Sequence, residues 1–155
     1  MPCCTGQDEA RNAAAERGPI EFSKRNNMAK TVIYSPKVTR TKAPHAHAVK
    51  AGNLVFVSGC PAYYGEMQLA KGDFPAQMRQ CMTNVKNILE EAGSSLEKVV
   101  KVNIFLDRRA DFDEMNEIYR EFFGTDPMMW PARTTVEARL PRKDFLLEIE
   151  CVAEV

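Results

Sequence analysis

The stretch Asp73–Leu106 reads DFPAQMRQCMTNVKNILEEAGSSLEKVVKVNIFL and contains a helix pattern followed at once by a strand pattern. Apolar side chains recur at steps of three and four residues up to Ala92, and Gly93 stands where helices commonly end. Val99–Leu106 is rich in β-branched residues and alternates in part, which is typical of a central strand. The sequence therefore predicts a helix over about Asp73–Ala92 that leads directly into a strand.

Strand signals lie on the N-terminal side of this stretch. Thr31–Tyr34 is a short β-branched run. His47–Lys50 and Leu54–Ser58 are apolar segments on either side of Ala51–Asn53, a turn that contains glycine. The sequence therefore predicts one strand followed by a hairpin.

On the C-terminal side the pattern continues as one helix and two strands. Asp111 lies three residues before Glu114, a variant of the capping box, and an apolar stripe at helical spacing follows as far as Phe122. After a proline-rich connection, Arg133–Arg139 and Phe145–Val152 alternate between apolar and polar residues. The predicted order is β-β-β-α-β-α-β-β, an α+β fold with a mixed sheet.

Two helices on one face of such a sheet leave the other face uncovered. In the last strand Leu147, Ile149 and Cys151 alternate with Glu148 and Glu150, so one side of the strand is polar. This pattern favours oligomerisation through the half-polar face.

Charge and composition limit the classes of function that the chain can have. The chain has 155 residues, with 21 Lys and Arg against 21 Asp and Glu, so no basic excess points to nucleic acid or to an anionic membrane. No apolar run approaches the roughly 18 residues of a membrane helix. The five cysteines are odd in number and include no C-x-x-C pair, which favours reduced thiols. We expect a cytoplasmic protein that binds neither nucleic acid nor membrane.

The N-terminal residues differ in composition from the rest. Residues 1–27 are polar, mixed in charge and poor in branched apolar side chains, so they bury too little surface to offset the entropy lost on ordering. The sequence predicts a mobile tail at 1–27 and one domain at 28–155.

Five short blocks of the sequence carry a more specific signal. They are Val49–Gly59, Ala92–Lys101, Met115–Tyr119, Pro131–Arg133 and Glu148–Glu150. In this order they resemble the signature blocks of the Rid (YjgF/RidA) family over about residues 30–155. The resemblance implies a chorismate-mutase-like fold, with both helices packed on one face of the sheet. It also implies a homotrimer with active sites between subunits, no metal and no organic cofactor, and hydrolysis of enamines and imines to ketones and ammonia.

Arg133 and Glu148 are the expected catalytic residues. The planar guanidinium of Arg133 can bind a substrate carboxylate through two parallel hydrogen bonds, and the resemblance gives it that role. A carboxylate in a partly desolvated cleft can position water and move protons, and the resemblance assigns this role to Glu148. The segment Leu140–Asp144 is one residue longer than the family pattern, so Glu150 is the alternative to Glu148.

Five further residues are expected to bind substrate. Gly59 and Asn116 match family positions near the ligand. His45 and Thr135 stand where imine deaminases of the family have tyrosine and cysteine, so a titratable imidazole replaces a phenol and no thiolate is present at position 135. Trp130 belongs to the segment of bulky residues just before Arg133, which favours a larger substrate.

The leading hypothesis is a hydrolase like the 2-iminobutanoate/2-iminopropanoate deaminases, which converts a small carboxylate-bearing imine or enamine to the keto acid. One alternative is a deaminase for a larger unsaturated amino acid such as 2-aminomuconate. The other is a metabolite-binding module of the same fold without catalysis. A ribonuclease is the least favoured function, because the net charge is zero and the chain lacks an aromatic and basic patch.

Overall fold

The polypeptide forms a six-stranded sheet and two helices. The computed structural model describes residues 30–155, and the predicted tail at 1–27 and domain start at 28 lie outside this range. The observed order confirms the predicted β-β-β-α-β-α-β-β, and the fold is α+β and chorismate-mutase-like. The strands are β1 (Thr31–Ile33), β2 (Ala48–Ala51), β3 (Leu54–Cys60), β4 (Val99–Leu106), β5 (Ala132–Glu137) and β6 (Leu147–Glu154), and the helices are α1 (Phe74–Glu91) and α2 (Phe112–Phe123).

The strands lie in the order β1-β2-β3-β6-β4-β5. All neighbours are antiparallel except β4 and β5, which are parallel, so the sheet is mixed. The last strand of the chain is inserted between β3 and β4. This topology places β6 inside the sheet and leaves β5 at an edge.

Helix α1 begins and ends where the sequence predicts. The side chain of Asp73 accepts a hydrogen bond from the Ala76 N–H at 2.9 Å, which satisfies one free donor of the first turn. Gly93 follows the helix with φ of +80°, a conformation that glycine adopts without steric cost. The face toward the sheet contains the buried apolar residues Phe74, Met78, Cys81, Met82, Val85, Ile88 and Leu89.

Helix α2 begins without the predicted capping box. The carboxylate of Asp111 makes no bond to the helix N-terminus and instead accepts two hydrogen bonds from the Arg108 guanidinium, at 2.8 and 2.9 Å. A short 3₁₀ turn over Arg109–Asp111 leads into the helix, and the Phe112 N–H bonds to a carbonyl of that turn. The cap prediction is therefore wrong because backbone groups replace the side-chain cap.

The two faces of the sheet differ in cover. Leu147, Ile149 and Cys151 are buried against the helices, whereas Glu148 and Glu150 lie half-buried on the other face, as the alternation predicts. That uncovered face also has an apolar row across four strands. Its members, paired in register, are Val32, Val49, Phe56 and Val152.

The described cysteines are buried thiols. Cys60, Cys81 and Cys151 are free, and burial raises the pKa of all three, that of Cys151 to about 12. These thiols therefore remain protonated near neutral pH, and none of them is a ready nucleophile. Within residues 30–155, neither helix has the length and hydropathy of a membrane span.

Candidate active site

A cavity of about 740 Å³ lies beside Glu148, on the face that the helices leave uncovered. It brings together three of the predicted site residues, His45, Gly59 and Glu148. The pairing of β3 with β6 shifts between Val57 and Cys60, and this irregularity sets Gly59 alongside Glu148. A methyl group on Gly59 would stand only 2.7 Å from Oε1 of Glu148. Glycine is therefore needed here to leave room for the carboxylate.

The Glu148 carboxyl is partly desolvated. Its side chain makes no hydrogen bond or ion pair within residues 30–155. Partial burial raises the pKa of Glu148, the charge of Glu150 raises it further, and His45 opposes both effects. A carboxyl group in this state is poised to exchange a proton closer to neutral pH than an exposed one.

Glu150, the alternative to Glu148, has a different environment. Its Oε1 accepts a hydrogen bond from Nδ2 of Asn103 at 2.8 Å. Glu150 does not line the cavity beside Glu148. The geometry therefore gives Glu148 a free carboxylate in a cavity and Glu150 a partner on the neighbouring strand.

The two histidines lie in unlike environments. His45 is exposed and lines the cavity, and its carbonyl accepts a hydrogen bond from the Tyr34 hydroxyl at 3.4 Å. His47 is buried, and its Nδ1 accepts a hydrogen bond from the Ser35 N–H at 3.2 Å. Burial lowers the pKa of His47, and the charge of His45 lowers it further. The bond from Ser35 favours the tautomer with the proton on Nε2, and that nitrogen is buried without a hydrogen-bond partner among the described residues.

We expect the free energy of unfolding to fall as the pH drops below about 6.5, because the unfolded chain then protonates His47 while the folded chain resists it. His47→Gln keeps an acceptor for Ser35 and should flatten this dependence. Urea unfolding at about pH 7.5 and about pH 5.5 measures the effect. His45→Gln serves as the comparison: because burial is the larger cause of the lowered pKa of His47, this change should leave most of the pH dependence in place. An equal dependence in His47→Gln would contradict the prediction.

A second cavity, of about 310 Å³, lies beside Arg133. Nη2 of Arg133 donates a hydrogen bond to Oδ1 of Asn116 at 2.8 Å, and the guanidinium carbon lies 4.8 Å from the centre of the Tyr119 ring. Trp130 lines the same cavity, and its Nε1–H donates to the Gly124 carbonyl at 2.9 Å. Asn116 and Tyr119 thus fix the guanidinium, which leaves donors free for a ligand.

Thr135 lines neither the Glu148 cavity nor the Arg133 cavity. It follows Arg133 by two residues on β5, and its Oγ1 is buried without a hydrogen-bond partner among the described residues. It lines a separate cavity of about 500 Å³ with Phe112 and Glu137. The structure therefore does not place Thr135 with the other predicted site residues of the same chain.

Arg133 and Glu148 of one chain point to opposite faces of the sheet. Glu148 pairs with Phe105, which pairs with Val136, and this row belongs to the uncovered face. Arg133 pairs with Val102, whose side chain is buried beneath the helices. Strand β4 separates the two strands, which adds about 10 Å at the usual strand spacing. One small ligand therefore does not contact both residues of the same chain.

Some residues around the two cavities were not predicted. Tyr119 stacks on Arg133 and lies three residues after Asn116, a spacing on α2 that places both on one helical face and could have revealed it. Tyr63, Met67, Arg142 and Phe145 line the Glu148 cavity. These four come from loops or their ends, where no periodicity indicates which way a side chain points.

Comparison with known proteins gives consistent matches over the described domain. A family model described as Endoribonuclease L-PSP matches residues 36–155. A RutC family protein of Pyrococcus abyssi is 44% identical over 128 residues, which are 81% of this chain and 98% of that protein. The 3-aminoacrylate deaminase RutC of Acinetobacter baylyi is 38% identical over 129 residues, or 83% of this chain and 100% of that protein.

Solved structures agree with these relatives. The crystal structure of YyfA from Yersinia pestis, described as a protein of unknown function in the conserved Rid family, superposes with a TM-score of 0.75 at 33% identity. The match covers 82% of this chain and 100% of YyfA. Family model, sequence relatives and fold all converge, and the chain belongs to the Rid (YjgF/RidA) family.

Proposed function

We propose that this protein hydrolyses a carboxylate-bearing imine or enamine to the keto acid and ammonia. The observation that carries the proposal is the partly desolvated carboxyl of Glu148, which has no hydrogen bond or ion pair within residues 30–155, in its cavity beside Gly59. The family relationship adds support, because a relative is named a 3-aminoacrylate deaminase, and 3-aminoacrylate is an enamine with a carboxylate.

The chemistry requires one water, both of whose protons end on the nitrogen. The oxygen of water bonds to the imine carbon while Glu148 accepts one proton from that water and returns it to the imine nitrogen, which gives a tetrahedral carbinolamine. The carbinolamine then collapses: the carbon–nitrogen bond breaks, the hydroxyl becomes the carbonyl, and its proton passes through Glu148 to the departing nitrogen. The products are the keto acid and ammonia, and Glu148 returns to its starting state. A raised pKa suits Glu148 to both roles, since the group must take up and release a proton near neutral pH.

Arg133 supplies the carboxylate clamp in this proposal. Its guanidinium is held by Asn116 and Tyr119, and Nη1 also lies 3.8 Å from Sδ of Met115; a guanidinium has five N–H donors, so these contacts do not exhaust its capacity to bind a carboxylate. Because Arg133 and Glu148 of one chain face opposite sides of the sheet, we infer that each site combines Arg133 of one subunit with Glu148 of a neighbour. A homotrimer closed through the uncovered faces gives three such sites.

The apolar row on the uncovered face supports assembly. Val32 and Phe56 are 48% and 45% exposed in the single chain, and large apolar side chains at such exposure favour a covering partner. Light scattering of the purified protein tests this step, with a mass of three chains as the expected result. A persistent monomer would remove the shared site.

The substrate proposal extends to small 2-imino acids such as 2-iminopropanoate and 2-iminobutanoate. Ammonia release is measured with each imine generated freshly in the assay, and the expected result is a rate well above spontaneous hydrolysis. If no imine or enamine in the panel is hydrolysed faster than in buffer, while a 2-keto acid still binds, the metabolite-binding module becomes the better reading.

Replacement of Gly59 by alanine should lower kcat by roughly 10- to 100-fold, because the new methyl group meets Oε1 of Glu148 and displaces the carboxylate. The melting temperature should change little, since the displaced atoms are the end of a flexible side chain. In the background of Glu148→Gln, the alanine should add almost no further loss, as expected for two changes that act through one group. Independent, multiplying losses would contradict this mechanism.

A further inference from the structure

The Glu148 cavity adjoins another cavity, called here the basic cavity, that has an excess of positive charge. The basic cavity has a volume of about 690 Å³, and it shares Tyr63, Met67, Arg142 and Phe145 with the Glu148 cavity. His45, Gly59 and Glu148 line only the Glu148 cavity. Arg142 therefore stands at the junction, away from the end of the cavity where His45 and Gly59 lie.

The cations at this junction outnumber the carboxylates. The basic cavity is lined by Lys71, Arg142 and Lys143, and Asp144 is its one acidic residue. Asp144 is already engaged, because Nζ of Lys71 lies 2.9 Å from its carboxylate. Among residues 30–155, neither Arg142 nor Lys143 has a carboxylate within ion-pair distance. The guanidinium of Arg142 is thus available to an anionic group in the cavity.

The segment that holds Arg142 is anchored to the core. The Arg142 carbonyl accepts a hydrogen bond from the N–H of Phe145, which is buried. Gln77 of α1 is 1% exposed and donates to the Asp144 carbonyl at 3.0 Å, while its own Oε1 accepts from the Leu146 N–H at 3.0 Å. These two contacts of Gln77 with the residues that follow Arg142 fix the backbone position of Arg142. The same segment is the one that is longer than the Rid pattern.

We propose that the protein prefers imines with a second anionic group, which Arg142 binds at the far end of the substrate. This inference rests on the proposed function. The α-carboxylate then lies on Arg133 of a neighbouring subunit, the imine carbon lies beside Glu148, and an aliphatic chain passes Tyr63 and Phe145 to Arg142. A substrate with an apolar end makes no contact of this kind, so Arg142 adds nothing to its affinity and the preference comes from the anionic end alone.

The test compares 2-iminoadipate with 2-iminohexanoate, each formed in the assay from its amino acid by an oxidase. Both have six carbons, and they differ in ending with a carboxylate or a methyl group. The unmodified protein should show kcat/KM about 10- to 100-fold higher for 2-iminoadipate, the range expected for a charge-assisted hydrogen bond. Arg142→Gln should abolish that preference and leave 2-iminohexanoate within about two-fold. Arg139→Gln, an exposed arginine outside both cavities, is the matched control and should keep the preference.

A preference that survives in Arg142→Gln, or equal kcat/KM for the two imines in the unmodified protein, overturns this inference and leaves the proposed function in place if both are hydrolysed. If neither imine is hydrolysed and 2-iminopropanoate is also inert, the proposed function fails. Calorimetric titration with 2-oxoadipate and 2-oxohexanoate then still decides the binding claim. Tighter binding of 2-oxoadipate that Arg142→Gln removes supports the claim, and equal affinities overturn it.

Discussion

Glu148→Gln is expected to lower kcat by on the order of 10²–10⁴ while the affinity for a 2-keto acid stays within a few-fold. The amide has the shape of the carboxyl group but neither accepts nor returns a proton, so water remains near the imine carbon without a base. Glu148 has no hydrogen bond within residues 30–155 whose loss would disturb the fold. Steady-state ammonia release and a titration with pyruvate measure the two quantities separately.

Glu150→Gln is the matched control for this prediction. The residue lies two positions along the same strand and on the same face, and its amide oxygen can still accept the hydrogen bond from Asn103. Its kcat should stay within a few-fold of the parent. If Glu150→Gln loses turnover and Glu148→Gln does not, Glu150 holds the water. If neither loses turnover, this strand does not supply the base.

Arg133→Lys is expected to lower kcat/KM for a 2-imino acid by about 10- to 100-fold, which corresponds to about 1.5–3 kcal/mol. Lysine keeps the positive charge but loses the two parallel donors, and it also loses the fixed orientation given by Asn116 and the Tyr119 ring. Sub-saturating kinetics and a pyruvate titration should show the loss together, because the residue acts through binding.

Arg139→Lys makes the same chemical change at an exposed position that lines neither the Arg133 cavity nor the Glu148 cavity, and it should leave kcat/KM unchanged. A protein with Arg133→Lys that deaminates as fast as its parent at sub-saturating substrate would show that the carboxylate clamp is wrong. The binding-module alternative would require the opposite pattern, with measurable ligand affinity and no turnover in the parent.

The fold was predictable because its signals are local and repeated. The steps of three and four residues in α1 and the alternation in β6 follow directly from the geometry of a helix and a strand. Asp111 shows the limit of a local rule, since Arg108 competes for its carboxylate and the backbone of a 3₁₀ turn replaces the cap. Only the structure reveals which of the two contacts forms.

The sequence indicated candidate residues for the site but not their arrangement. Family blocks indicated Arg133 and Glu148, but their separation onto opposite faces depends on the parallel register of β5 with β4, which no short pattern encodes. The sequence spaces His45 and His47 like neighbours on one side of a strand, yet regular strand structure begins only at Ala48 and just one of them reaches the core. The sequence pattern does not predict that Arg142 lines the cavity, because its position depends on hydrogen bonds between Gln77 and the loop that follows Arg142.

A site shared between subunits predicts what fraction of the sites is active in trimers that contain two kinds of variant chain. In the proposed site, Arg133 of one subunit and Glu148 of a neighbour act on the same imine. Chains with Arg133→Gln and chains with Glu148→Gln should each be nearly inactive alone. In trimers assembled randomly from equal amounts, about a quarter of the sites should contain both native residues, because each of the two positions is correct in half of the cases.

The direct measurement is therefore ammonia release from 2-iminopropanoate by co-expressed Arg133→Gln and Glu148→Gln chains, compared with either variant alone. A site shared between subunits should restore about a quarter of the parent's activity. Co-expression of Glu148→Gln with the double variant should give no recovery, since no chain then supplies Glu148. Activity in the first mixture that equals the mean of its two inactive components would contradict a site shared between subunits.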